Sequence, residues 1–277
     1  MNIVDTVKAE LRAAPEVFSI GKSVCGNEIL CAHKGGYSGR QLIVTAGIHA
    51  RECYTAYAAL RQLAEFDECG KDGAYFIPLV NPDGALFLET GDTQGSSALE
   101  RFENDNRKWK ANADGVDLNC NFDANWGTGV QNKRVAGASD YIGVSALCAP
   151  ESSALAQFTA RVKPNMTLSY HCMGGELYWE FFQRGAARVR DECVAENIAR
   201  YIDVKKVDGH LGSAGGYKDW CVQKLGISAV TVELIKSGDH PFAASDFARD
   251  IELNARLPQY ILKVLREEKW KTKPMKI

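Results

Sequence analysis

The stretch LIVTAGIHARECYTAYAALRQLAEF, residues 42 to 66, contains an apolar run, a break at Gly47 and an amphipathic helical pattern. Three ionisable residues, His49, Arg51 and Glu52, stand at the junction. If the helix begins near His49, Glu52 projects from nearly the same face three residues later, within reach of a shared ion. The stretch therefore predicts a buried strand that delivers a chelating pair to the start of a helix.

Similar patterns recur along the chain. Apolar runs rich in β-branched residues predict strands buried on both faces at 41–47, 74–80, 166–170 and 227–234. Helical patterns occupy 53–66, 151–162, 186–202, 216–225 and 243–268. This alternation predicts an α/β sheet with helices on both sides. The chain shows no repeat or linker, so we expect a single catalytic domain over residues 1–277.

Composition narrows the class of protein. The 277 residues are 45% hydrophobic and 25% charged, as in ordinary globular domains, and no run of 18 apolar residues predicts a membrane span. A formal net charge of -2 offers no global attraction for nucleic acid or an anionic membrane. A small peptide is therefore the expected partner, while the oligomeric state stays open.

The nine cysteines are scattered and form no CxxC pair, which favours reduced thiols over a disulfide framework. The N-terminal stretch MNIVDTVKAELRAAPEVFSIG predicts a short amphipathic helix and lacks the apolar core of a signal peptide. Both features predict a cytoplasmic location.

Polar residues follow the predicted strands at their carboxyl ends, where ligands bind in such sheets. His49 follows the first strand, His171 follows the third, and Glu233 ends the fourth. An HxxE pair alone is weak evidence for a metal site. Two histidines and one carboxylate, however, make the three-ligand set of a catalytic zinc, with a fourth position for water.

Five motifs occur in order along nearly the whole chain: GIHARE, NPDG, RKWKANADGVDLNCNF, HCMGG and GGYKDW followed by AVTVEL. In this order they resemble the carboxypeptidase A-like family of zinc peptidases. The resemblance implies His49, Glu52 and His171 as ligands of one Zn²⁺ per chain, and Glu233 as general base. It also implies a three-layer α/β/α sandwich with a mixed, largely parallel sheet of about eight strands.

The resemblance also assigns the cations of the reaction. Zinc lowers the pKa of its water to roughly 7, and Glu233 can accept that proton. Lys110 occupies the position of the family's transition-state arginine, with Arg51 and Arg107 as supporting cations. A lysine there supplies charge without the bidentate fork of arginine.

Three positions depart from the carboxypeptidase pattern. Asn119 of the family's Asn-Arg pair is kept, but Cys120 replaces the arginine that binds a substrate's C-terminal carboxylate. Leu211 occupies the place of the lid tyrosine. Lys218 occupies the position that faces the side chain just after the scissile bond. These changes resemble the bacterial branch that cuts γ-D-glutamyl to diamino-acid bonds in cell-wall peptides, since diaminopimelate carries a second carboxylate for Lys218.

Three alternatives remain open at this point. The first is a carboxypeptidase for acidic C-terminal residues, with Lys218 binding the side chain and Arg107 or Arg101 replacing the missing arginine. The second is a deacylase of small N-acyl amino acids. The third is a zinc-binding pseudoenzyme or peptide-binding module.

Overall fold

A mixed eight-stranded sheet forms the middle of the structure, a computed structural model that describes residues 1–67, 70–102, 104–210, 212–268 and 270. Its strands are β1 (Glu16–Lys22), β2 (Glu28–Gly35), β3 (Gln41–Thr45), β4 (Gly73–Ile77), β5 (Met166–Cys172), β6 (Glu176–Tyr178), β7 (Lys205–Val207) and β8 (Ser228–Leu234). They lie in the order β1-β2-β4-β3-β5-β8-β6-β7.

The four predicted strands form the centre of this sheet as parallel neighbours, in the order β4, β3, β5 and β8. The antiparallel pairs β1/β2 and β2/β4 extend one side, and β6 pairs antiparallel with β8 on the other. The predicted mixed, largely parallel sheet is thus confirmed. The prediction missed the four outer strands β1, β2, β6 and β7.

Nine α-helices lie within the described part of the chain. They are α1 (Ile3–Leu11), α2 (Ala56–Glu65), α3 (Pro82–Thr90), α4 (Ser97–Glu100), α5 (Pro150–Val162), α6 (Gly185–Tyr201), α7 (Tyr217–Trp220), α8 (Ala248–Asn254) and α9 (Leu257–Glu267). Short 3₁₀ helices cover Ala50–Thr55, Asn106–Lys108, Leu118–Cys120 and Ala244–Phe247, and a π-helical turn covers Cys221–Leu225.

Side chains that alternate along β3 enter two separate cores, which defines three layers. Leu42 and Val44 pack in one core with buried residues of α1, α2, α6 and α9. Ile43 packs in the other core with buried residues of α5 and α7. Because successive side chains of a strand point to opposite faces, the sheet is covered by helices on both sides. The predicted α/β/α sandwich is confirmed.

The segment 84–145, rich in Gly, Asn, Asp and Ser, begins inside helix α3. The side chain of Asn81 caps this helix by accepting the backbone N–H of Gly84, and Pro82 stands in its first turn, where proline is tolerated. Asp83 is buried and accepts hydrogen bonds from Ser23, Cys25 and Asn27. The NPDG motif therefore anchors the chain that follows β1.

Two further features concern the whole described chain. None of its helices is long and apolar enough to cross a membrane. Each of the eight cysteines that the structure describes is a free thiol, as the scattered spacing predicted.

Candidate metal centre and substrate cavity

The segment that follows β3 places two of the predicted ligands beyond the carboxyl end of this central strand. His49 immediately precedes the 3₁₀ helix Ala50–Thr55, and Glu52 lies within it. His171 lies near the end of the neighbouring parallel strand β5. The three residues are 4%, 3% and 3% exposed, so their polar atoms face one another in a buried cluster.

The distances between the ligand atoms fit a metal ion. Nδ1 of His49 lies 2.9 Å from Oε1 of Glu52 and 3.2 Å from Nδ1 of His171. Nδ1 of His171 also lies 3.2 Å from Oε2 of Glu52. Ligand bonds of about 2.0–2.1 Å in a tetrahedral zinc site place neighbouring donor atoms roughly 3.3 Å apart. The three side chains therefore fit a zinc ion with one open coordination position.

The charge state of Glu52 also suits a ligand. Burial would raise the pKa of this carboxyl, but His49 and His171 hold it well below its ordinary value. The backbone N–H of Cys172 donates a hydrogen bond to Oε2 at 3.2 Å. Glu52 is thus an oriented carboxylate, the form that binds a cation.

Asp117 is a site residue that the sequence reasoning did not single out. It is fully buried, and its Oδ1 lies 3.3 Å from Nε2 of His49. Lys110 lies 2.8 Å from its Oδ2. Burial would raise the pKa of Asp117, but Lys110 and His49 hold it well below its ordinary value. The acidic residue within GVDLN is the sequence signal that could have identified this site residue. A buried aspartate requires cationic or hydrogen-bonding partners, such as Lys110 and His49 here.

Glu233 lies beside this cluster on β8. It is the register partner of His171 on the adjacent parallel strand. Burial raises its pKa to about 7, and the nearby positive charge of His171 opposes that shift. A carboxylate with a pKa in this range suits a general base at neutral pH.

A cavity of about 350 Å³ opens next to Glu233. Four predicted site residues line it: Lys110, Asn119, Lys218 and Glu233. Its other lining residues are Cys120, Gly129, Val130, Gln131, Asn132, Asp140, Tyr178, Gly209, His210, Gly212, Ser213, Ala214, Gly216, Asp219 and Thr231. The cavity is large enough for an amino-acid side chain and reaches the predicted base.

Lys218 is a buried wall residue of this cavity and not a surface lysine. Its Nζ lies 2.5 Å from Oδ1 of Asp219 and donates to the carbonyl of Glu180 at 3.0 Å. The ammonium also lies 5.5 Å from the centre of the Phe181 ring. A cation held in this way can meet a carboxylate that enters the cavity.

The other predicted residues take different places. Asn119 accepts the backbone N–H of Tyr217 at 3.0 Å, and its own NH₂ group donates no hydrogen bond within the described chain. Arg107 is 59% exposed and pairs with Asp105 at 2.8 Å, so the structure does not bring it into the cavity. Arg51 is half-buried beside Glu52. Leu211, at the lid position, lies outside the described residues.

Two buried histidines and a buried glutamate around one point, next to a half-buried second glutamate and a cavity, define the class of zinc-dependent hydrolases. Residues 1–256 match the zinc carboxypeptidase family. The chain belongs to this family and is a zinc metallopeptidase. The resemblance seen in the five motifs is therefore confirmed.

Two relatives are similar to this chain in sequence, and a solved structure is similar to it in fold. The chain is 30% identical over 278 residues to the uncharacterized protein YqgT of Bacillus subtilis, covering 87% of this chain and 72% of that protein. It is 32% identical over 178 residues to the γ-D-glutamyl-L-diamino acid endopeptidase 1 of Lysinibacillus sphaericus, covering 62% and 44%.

The fold matches the murein-tripeptide amidase MpaA from Escherichia coli O157, with a TM-score of 0.62 and 20% identity. This match covers 97% of this chain and 98% of that one.

Proposed function

We propose that this enzyme hydrolyses the γ-D-glutamyl to diaminopimelate bond of small cell-wall peptides. The cavity beside Glu233 carries the proposal, because its wall has Lys218 as a cation and Cys120 in place of the arginine that would bind a terminal carboxylate. The names of the endopeptidase and the murein-tripeptide amidase support the same substrate class.

His49, Glu52 and His171 would hold the zinc ion, because they converge on one point with donor spacings that suit it. Bound zinc supplies an activated water and polarises a carbonyl group. Asp117 contacts Nε2 of His49 and favours the proton on that nitrogen, which leaves Nδ1 free for the metal.

Glu233 is the proposed general base. It accepts a proton from the attacking water and returns it to the departing amine of diaminopimelate. Lys110 places positive charge near the carbonyl oxygen, where negative charge develops during attack. Asp117 fixes the ammonium of Lys110 at 2.8 Å, so this charge is held in place before substrate arrives.

The residue that leaves as the amine product would occupy the cavity. Lys218 would bind the second carboxylate of diaminopimelate, and the NH₂ group of Asn119 is available as a further donor. Tyr178 also lines the cavity, with its hydroxyl donating to Glu176 at 2.6 Å. This wall is polar, which favours a charged side chain over an aromatic one.

The carboxypeptidase alternative receives less support. It requires Arg107 or Arg101 to replace the missing arginine, but Arg107 pairs with Asp105 and neither residue is among those that line the cavity. We further propose that residues 1–277 act as one catalytic domain in the cytoplasm, on recycled or imported peptides.

Mass spectrometry of the purified zinc enzyme tests the proposal. Incubation with L-Ala-γ-D-Glu-diaminopimelate should release diaminopimelate, while dipeptides with acidic or aromatic C-terminal residues should stay intact. Cleavage of the dipeptides without cleavage of the γ-glutamyl peptide would establish the carboxypeptidase alternative.

A further inference from the structure

Arg51 differs from the other cations at the site because no ion pair with a carboxylate is found for it within the described residues. Lys110 pairs with Asp117, and Lys218 pairs with Asp219. The Nε atom of Arg51 is buried, yet it has no hydrogen-bond partner among the residues the structure describes. Leaving a buried guanidinium donor unpaired is costly, so this arrangement suits an anion supplied by the substrate.

His240 is a second unpaired group in the same neighbourhood. It lies on the segment that follows β8, and its Nδ1 is buried without a hydrogen-bond partner in the described chain. Burial lowers the pKa of His240, and the charges of Glu52 and Arg51 both act on its ring. The imidazole therefore lies within electrostatic range of Arg51 and Glu52, and one of its ring nitrogens can donate a hydrogen bond.

These two residues lie apart from the cavity that contains Lys218. Neither is among the residues that line it. The charge of Arg51 instead influences the pKa of Cys172, the residue after His171, and the ring of His240 contacts the backbone of the same cysteine. The structure thus offers one set of polar groups on the Lys218 side of the metal ligands and another set beside Cys172.

We propose that Arg51, with His240, binds the free α-carboxylate of the γ-linked glutamyl residue. The inference rests on the proposed function and extends it to the acyl side of the scissile bond. In a γ-glutamyl amide, two methylene groups and the α-carbon link the reacting carbonyl to a carboxylate. With diaminopimelate in the cavity, that carboxylate extends away from Lys218 and meets the guanidinium of Arg51.

Binding to the zinc-loaded Glu233→Gln variant tests this directly, because hydrolysis is suppressed. Calorimetry compares L-Ala-γ-D-Glu-diaminopimelate with the same peptide whose glutamyl α-carboxylate is an amide. We expect the acid to bind at least about 10-fold more tightly, the range for a lost charge-assisted contact. Adding Arg51→Gln should remove the difference in affinity, because it weakens binding of the acid peptide alone. Adding His240→Ala instead should reduce the difference partly.

Kinetics on the otherwise unchanged enzyme separates this role from one at the reacting carbonyl. Arg51→Gln should lower kcat/KM for the acid by about 10-fold or more and for the amide by much less. Equal losses for both substrates would overturn the inference and leave Arg51 as a cation for the carbonyl oxygen. Arg249→Gln, at an exposed arginine of α8, is the matched control and should leave the ratio unchanged.

The outcomes separate the two proposals. If the parent enzyme cleaves acid and amide equally well, the carboxylate site is refuted while the γ-glutamyl activity stands. If it cleaves neither peptide, both proposals fail. Arg51→Lys keeps the positive charge but loses the bidentate geometry of the guanidinium, so its ratio of kcat/KM for the acid peptide to that for the amide peptide should be intermediate. This variant still tests the inference if Arg51→Gln does not fold.

Discussion

The carboxylate of Asp117 joins His49 to Lys110, with one oxygen 3.3 Å from the imidazole Nε2 and the other 2.8 Å from the ammonium. One buried acid therefore positions both a metal ligand and a cation. This dual contact makes Asp117 the residue through which metal affinity and charge near the substrate are coupled.

Replacing Asp117 by Asn should weaken zinc binding about 10- to 100-fold, because a neutral amide oxygen holds the proton on Nε2 of His49 more weakly than a carboxylate does. Competition with a chelator measures the change. Asp140→Asn is a suitable control, since Asp140 lies 3.7 Å from Lys110 and has no contact with the metal ligands in the described chain. Unchanged zinc affinity in Asp117→Asn would remove its proposed role.

The double variant His49→Ala, His171→Ala should not retain zinc, because it keeps only one of the three proposed ligands. Metal analysis of the purified protein checks this. The parent enzyme should lose activity on chelation and regain it with added zinc. Full zinc content in the double variant would show that the metal binds elsewhere.

Glu233→Gln should keep zinc and fold but lose at least about 10²-fold in kcat, because a nearly isosteric amide does not accept the proton of the attacking water. Metal content and circular dichroism establish that the variant is intact before the rate is compared. Near-normal turnover would exclude Glu233 as the base.

Lys218→Met should lower the preference for diaminopimelate over lysine by about 10- to 200-fold in kcat/KM. The single change also leaves the buried carboxylate of Asp219 without its cation, which can cost about 3 to 5 kcal/mol in stability. Lys218→Met combined with Asp219→Asn avoids that cost. If the double variant keeps the full preference for diaminopimelate over lysine, another residue binds the second carboxylate.

The buried carboxyl group of Glu151 should make the free energy of unfolding depend on pH. Burial raises its folded-state pKa from 4.5 to about 7, although Asn112 donates a hydrogen bond to it. Between these values the folded state holds a proton that the unfolded state has released, so the free energy of unfolding should fall as pH rises. The free energy of unfolding should fall by about 3 kcal/mol in total, because each unit of difference between the folded and unfolded pKa corresponds to roughly 1.4 kcal/mol.

Urea unfolding at pH 5 and pH 8 measures the Glu151 contribution as a difference. Glu151→Gln does not ionise, so its stability should fall less over this interval than that of the parent protein at the same zinc content. Identical pH slopes for the two proteins would show that Glu151 does not titrate in this range.

The central strands were predictable because burial on both faces produces continuous apolar runs. The run 166–170 lies inside β5, and the run 227–234 nearly coincides with β8. Strand β1 was missed because all of its residues are exposed or half-buried, which removes the apolar signal. Strands β6 and β7 have only three residues each, too few for a period to appear.

The site was predictable where it depends on strand ends and less so where it depends on loops. The pair His49 and Glu52 was assigned to one α-helical face, but Glu52 has φ -110° in a 3₁₀ segment. The pair still lies together, because the backbone N–H of Glu52 donates to the carbonyl oxygen of His49 at 3.1 Å and closes a turn between them. Arg107 was expected in the cleft, but it binds Asp105 two residues earlier, a local contact that no periodicity indicates.

His171 and Glu233 are register partners on neighbouring strands, so main-chain hydrogen bonds set the separation of their backbones. Adjacent strands lie about 4.8 Å apart whatever side chains they carry. The distance between the backbones of the metal ligand and the proposed base is therefore set by strand pairing, so it should persist when surrounding side chains change. Substitutions in the cavity walls can therefore alter which substrate side chain fits without moving the proposed base relative to the metal ligand.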